Sequence, residues 1–319
     1  SATRIAAADA GSGSSTAALI ASGVIRSWMP SLVSTTRMIG KTEETMRRIL
    51  MAALAALASV SIGAGVAQAQ TKPSVTRLAN GEPKTAIYIG NSFFYYNNGL
   101  PGHVGFMQKA ANPAEKNAYR TTMVTISGSG ADWHDVASYF RPNAIGKYSF
   151  DENNNVVFNK LDRLFEVAVM MDCSQCPIHP QLKDVFVEYM KKGADTARAN
   201  RAEPILFMSW AYKDKPEMTA ALAEQYTLAG NANNALVIPA GLAFAKSIAK
   251  KPDLELYQPD KRHPSMAGTY LAAATVYAAL ARKSPVGNAY TAGLDPALAQ
   301  YLQTIAWETV KEYYGDLGS

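Results

Sequence analysis

Two short segments carry residue types that could carry out acyl transfer together. The first is IYIGNSFFYYNN, residues 87–98, where a strand-like apolar run stops at Gly90 and leads through Ser92 into four consecutive aromatics and two asparagines. In open α/β sheets, sites form beyond the carboxyl ends of strands. A helix that starts there points free backbone N–H groups at whatever sits on its N-terminus. Ser92 at such a junction has its own N–H available to an oxyanion; equally, a serine there can simply cap the helix. A hydroxyl also needs a base to become a good nucleophile. Of the four histidines, His103, His134, His179 and His263, the last lies in YQPDKRHPSMAG, three residues after Asp260. That spacing within one loop lets the carboxylate accept the Nδ1 proton, which fixes the tautomer and leaves Nε2 to face a serine.

These residues need a frame. Short apolar runs (TAIYIG, TTMVTIS, VAVMM, PILFMSW, ALVIPA) alternate with helical patterns over 99–111, 131–140, 181–200, 215–229, 241–250 and after 264. Apolar strands separated by helices imply crossover units and a parallel sheet covered on both faces. The predicted class is α/β, a three-layer α/β/α sandwich around about five strands. Residues 141–160, long, polar and Asn-rich, read as an insertion or flap beside a site. Residues 295–314 place Leu298, Tyr301, Leu302 and Ile305 at helical spacing and predict a final amphipathic helix. The chain order Ser, Asp, His also occurs in α/β-hydrolases, but their G-x-S-x-G elbow is missing, with Phe94 two residues after the serine.

Residues 46–69 combine Arg47 and Arg48, an apolar stretch and Ala67-Gln68-Ala69, the pattern of a secretory signal cleaved before Gln70. Residues 1–45 are set aside as an extension outside the fold, leaving 70–319 as one domain, exported to a secreted or periplasmic location. The apolar run 49–62 is short and rich in Ala and Gly for a membrane span. Without residues 1–69 the net charge of +5 falls to +2, because six basic and three acidic residues leave with them. That balance gives no reason to expect nucleic acid as a partner. Cys173 and Cys176, in CSQC, are the only cysteines, and in an exported chain they are expected either as a local disulfide or as two unpaired thiols. His179 completes zinc-like spacing but leaves no evident fourth ligand.

GNSFFYY near the start of the domain and DKRHPSMAGTYLA near its end resemble the SGNH, or GDSL-like, hydrolases, in particular a bacterial branch with a GNSF serine motif. The resemblance runs from about 84 to 285. It implies a flavodoxin-like sandwich, a serine esterase or lipase mechanism with no metal or organic cofactor, and Ser92, Asp260 and His263 in the catalytic roles. It also implies an oxyanion hole of the Ser92 N–H and a glycine N–H after the second strand. In TISGSGADWHD that glycine is Gly128, with Gly130 as the alternative; Trp133 and His134 follow as candidates for the pocket lining, His134 rather as a helix-surface or supporting residue than as a base. The sequence departs from the family after the third strand, where Met171 and Asp172 stand in place of an amide side chain; Ser174 or Gln175 is then the candidate donor. Losing one oxyanion donor typically costs a factor of about 100 to 1,000 in turnover.

Tyr95, Tyr96, Asn97, Trp133 and Trp210 are expected to line the mouth and to hold a small-molecule, carbohydrate or polymer ester, with Phe93 or Phe94 in the core. The preferred reading is a secreted esterase, either a carbohydrate ester deacetylase or a short-chain acyl or polyester esterase. The alternative is a weak or inactive protein of this fold that binds glycans.

Overall fold

The computed structural model describes residues 71–115, 119–145, 148–158 and 161–315. The expected extension and signal peptide lie outside these residues. The described residues fall within one compact unit.

Five of the expected strands form the central sheet: β1 (Thr85–Gly90), β2 (Arg120–Thr125), β5 (Val167–Met170), β6 (Glu203–Phe207) and β7 (Leu236–Ile238). All neighbours are parallel, and the order is β2-β1-β5-β6-β7. β1, β5, β6 and β7 are buried almost throughout, which is why they read as unbroken apolar runs. The chain first steps from β1 outward to β2 and then crosses to β5 on the other side. The order therefore reverses beside β1, the place where open α/β sheets form their sites. Ser92 lies there.

The helices are α1 (Ser92–Tyr95), α2 (Leu100–Ala111), α3 (Val136–Tyr139), α4 (Lys183–Ala199), α5 (Met218–Ala232), α6 (Ala240–Lys250), α7 (Met266–Ala281) and α8 (Pro296–Tyr314). Helices α2, α6 and α8 pack around α7 as one layer; α4 and α5 supply the other, with α4 against β5 and β6. Fifteen of the sixteen α7 residues are buried, as an Ala-rich helix without a polar face must be. No helix among the described residues is long and apolar enough to cross a membrane.

Two expectations change. The helix predicted over 131–140 is a 3₁₀ turn, Ala131–Trp133, followed by the single turn α3, because the Asp135 side chain caps the Ser138 N–H and restarts the chain. The insertion 141–160 contains an antiparallel hairpin, β3 (Tyr148–Phe150) with β4 (Val156–Phe158), whose turn is tied by Asp151 to the N–H groups of Asn153 and Asn155.

Gly90 has a packing role rather than a turning one. A Cβ there would lie 2.5 Å from Met171 Cγ and 2.9 Å from the Phe94 ring. Gly90→Ala is expected to cost about 1–3 kcal/mol through overpacking at the base of the site. In urea melts, part of that loss should return in the Gly90→Ala/Met171→Ala double variant if Met171 is the clash, because contacting residues couple.

Candidate active site

The serine sits where the backbone leaves the sheet. Asn91, extended and buried, is the N-cap of α1: its Oδ1 accepts from the Phe93 N–H at 3.2 Å. Its Nδ2 donates to the Ser129 and Asp172 carbonyls, both at 3.1 Å. One side chain thus joins the ends of β1 and β5 to the loop after β2. Because Asn91 does the capping, the Ser92 hydroxyl is free for another partner. It finds His263 Nε2 at 2.8 Å, across 171 residues of chain.

His263 lies on the turn between Tyr257 and Pro264, which close an isolated bridge. Gln258 N–H donates to the His263 carbonyl at 2.8 Å, and Lys261 adopts a left-handed φ of 64° at the turn. Asp260 organises this turn from within. Its Oδ1 accepts from the N–H groups of Arg262 (2.9 Å) and His263 (3.0 Å), while Oδ2 accepts a short hydrogen bond from His263 Nδ1. Burial alone would raise the Asp260 pKa, but these hydrogen bonds outweigh it and pull the carboxyl down to about 2. Held as a carboxylate, Asp260 fixes the tautomer that turns the unprotonated Nε2 toward Ser92. Ser92, His263 and Asp260 therefore form one hydrogen-bonded line capable of general-base activation of the hydroxyl.

The loop after β2 is fastened to both flanks of the serine. Asn91 holds the Ser129 carbonyl, and Tyr95 Oη donates to Ser127 Oγ at 3.0 Å. Gly128 lies between these two ties, just as Ser92 lies between Asn91 and Tyr95. Its φ of 70° favours glycine, and a Cβ built on it meets nothing within 4 Å, so it borders open space. Gly130 is crowded instead: a Cβ there would lie 2.5 Å from Asp132 Oδ1 and 3.2 Å from Asp172 Oδ1. Among the described residues, no protein acceptor meets the N–H of Ser92, Gly128 or Gly130.

Asp172, where the family resemblance implies an amide, is 2% exposed. Its Oδ1 accepts from the N–H groups of Ala131 (2.8 Å) and Cys173 (2.7 Å). Burial dominates those hydrogen bonds and raises its pKa to about 6. It acts as a strut under the loop. His134, read as a pocket-lining, helix-surface or supporting residue, is buried and takes the supporting place. It donates from Nε2 to the Gly90 carbonyl at 3.0 Å and pairs through Nδ1 with Tyr139 Oη at 3.1 Å, and burial lowers its pKa.

The expected rim divides. Trp133 is 61% exposed and Tyr95 half-buried, consistent with surface positions. Trp210 is fully buried, a correction to its expected place at the mouth. It stacks between Phe93 (4.6 Å) and Phe244 (4.3 Å), and its Nε1 donates to the Arg262 carbonyl at 3.0 Å. Asn97 also faces inward, with Nδ2 donating to the Pro264 carbonyl and to Thr269 Oγ1, both at 2.8 Å. The Tyr96 ring lies flat on His263, centroids 4.1 Å apart at 10°. Phe93 and Phe94 are both core. Gln175 is exposed and makes no hydrogen bond to Ser92 or His263, and Ser174 Oγ pairs instead with Tyr212 Oη at 2.6 Å. Cys173 and Cys176 form a disulfide, so their sulfurs are not available as the metal ligands their spacing suggested. The largely apolar cavity of about 420 Å³ bordered by Tyr212, Phe244, Ile248 and Tyr257 does not include Ser92.

No protein-family profile and no curated protein matches this chain. Solved structures do. A DUF4886 family protein from Bacteroides uniformis ATCC 8492 superposes with a TM-score of 0.51 at 16% identity, over 73% of this chain and 96% of that one. A protein of the G-D-S-L family from Desulfitobacterium hafniense DCB-2 gives 0.42 at 18%, over 61% and 98%. An acetylxylan esterase from Geobacillus stearothermophilus gives 0.45 at 14%, over 63% and 94%. At these identities the likeness is one of fold.

Asp172 generates a stability prediction. Its folded-state pKa of about 6 lies above the ordinary 3.8, so its proton favours the folded state, fully at low pH and less as pH rises through about 6. Asp172→Asn keeps an acceptor for Ala131 and Cys173 but does not titrate. Urea melts at pH 4 and pH 7 should show the variant gaining about 2–3 kcal/mol on the wild type between those values. An unchanged difference would mean that the carboxyl is not buried as described.

Proposed function

We propose that this protein is an exported serine esterase that hydrolyses carboxylic esters through an acyl-enzyme. The observation that carries the reading is the Ser92–His263 hydrogen bond of 2.8 Å, backed by Asp260 on the far ring nitrogen. In the first step His263 Nε2 takes the Ser92 proton as Oγ attacks the ester carbonyl, and Asp260 stabilises the imidazolium. The N–H groups of Ser92 and Gly128 receive the oxyanion. His263 then gives its proton to the departing alcohol. Water, deprotonated by the same imidazole, attacks the acyl-enzyme and releases the acid and the free serine.

The disulfide supports an oxidising compartment and with it the export read from residues 46–69. The exposed Trp133 and the half-buried Tyr95 support a carbohydrate ester as substrate, with a short-chain acyl ester or polyester as the competing class. One observation favours a second reading, glycan binding without turnover: Asp172 gives its carboxyl to two backbone donors and offers the oxyanion no amide.

Hydrolysis of p-nitrophenyl acetate and butyrate, wild type beside Ser92→Ala, decides between them. The esterase reading expects the variant to lose about 10³-fold or more of the turnover, and a fluorophosphonate to label Ser92 in the wild type alone. Two equally inert, unlabelled proteins would overturn it and leave glycan binding to be tested on oligosaccharides.

A further inference from the structure

The four aromatics and two asparagines after Ser92 far exceed what a helix start requires, and Tyr96 and Asn97 are not spent on packing. Tyr96 is half-buried and its ring lies parallel to the His263 imidazole, centroids 4.1 Å apart. The Phe93 ring meets the same imidazole edge-on at 5.6 Å, so His263 is held on its face and at its edge. Asn97 holds a left-handed φ of 52° and sends its amide nitrogen across to the Pro264 carbonyl and Thr269 Oγ1. Pro264 follows His263 directly. On the other side of His263, the Arg262 carbonyl is held by the Trp210 indole. Asn97 is itself anchored: its carbonyl accepts from His103 Nε2 at 2.7 Å, and His103 Nδ1 pairs with Tyr290 Oη at 2.7 Å.

We propose that Tyr96 and Asn97 are positioning residues for the base. In this arrangement, the segment carrying the nucleophile also clamps His263, Tyr96 through the face of the ring and Asn97 through the backbone beside it. The inference rests on the esterase reading. It accounts for why these residues immediately follow the serine: a clamp built into the nucleophile's own segment fixes the Ser92–His263 distance directly, without summing errors through the sheet. The tyrosine face also stabilises the positive charge that forms on the imidazole when it takes the serine proton. A misplacement of about 1 Å at a reacting group can cost on the order of 100-fold in rate.

The test compares Tyr96→Phe, Tyr96→Leu and Asn97→Gly in the full chain. Glycine keeps the left-handed backbone and removes only the amide. With p-nitrophenyl acetate, Tyr96→Phe should stay within about twofold of wild type, because the stack survives. Tyr96→Leu and Asn97→Gly should lose about 10- to 100-fold in kcat with KM little changed. A rise in KM at constant kcat would make Tyr96 a substrate contact and overturn the proposal, as would wild-type kcat in both variants. A second readout needs no turnover: the His263 Hε1 resonance, assigned by its loss in His263→Ala, should lie upfield in wild type and Tyr96→Phe and move downfield in Tyr96→Leu. If the wild type cleaves no ester, that shift alone decides whether the clamp stands, and a resonance indifferent to Tyr96 sinks it. Should Tyr96→Leu not fold, Tyr96→Met removes the same ring.

Discussion

The site depends on bringing a loop near residue 263 onto a serine at residue 92 and holding it to hydrogen-bonding tolerance. The closure itself is inexpensive, since loop entropy grows only logarithmically with length. The tolerance is the demanding part, and it is met by fixing the loop at several independent points. Asp260 folds the turn through its own neighbours' N–H groups, Trp210 holds the carbonyl before His263, and Asn97 holds the one after it. Trp210 is in turn locked between Phe93 and Phe244. The aromatic core under the serine and the histidine loop above it are therefore one mechanical unit.

A second constraint lies below the serine, where polar atoms are buried at the ends of the strands and each must find a partner. Asn91 satisfies three of them with one side chain, Asp172 accepts from two N–H groups, and His134 supplies the Gly90 carbonyl with a donor. The result is a polar floor that fixes the loop bearing Gly128 relative to Ser92. With Asn91 as cap, the serine escapes the helix-capping role that its position would otherwise suit.

The sheet was legible in the sequence because parallel strands buried on both faces leave contiguous apolar runs, and Leu298, Tyr301, Leu302 and Ile305 showed α8 by their period. Ser92, Asp260 and His263 were legible because a junction and a three-residue spacing are local features. Asn91 was missed for the opposite reason: its partners Ser129 and Asp172 are 38 and 81 residues away, and no local pattern announces them. Trp210 and Asn97 were misplaced because an aromatic or an amide near a strand end fits a rim as well as a floor. Only the contacts with Arg262 and Pro264 separate the two. The broken helix over 131–140 was hidden by an apolar spacing that Asp135 interrupts through its side chain alone.

Asp172 stands where the resemblance implies an amide, and the fold absorbs that change. A carboxylate facing an oxyanion would oppose it, and a buried one without partners would be costly. Here the group is turned to Ala131 and Cys173, and burial holds it closer to neutrality than an exposed aspartate. Its hydrogen bonds brace the loop that carries Gly128. In the proposed esterase no side-chain donor serves the oxyanion, and the task falls to the N–H groups of Ser92 and Gly128, whose placement depends on the ties that Asn91, Tyr95 and Asp172 make to that loop. In that proposed site, loop geometry would take over the work of an amide side chain.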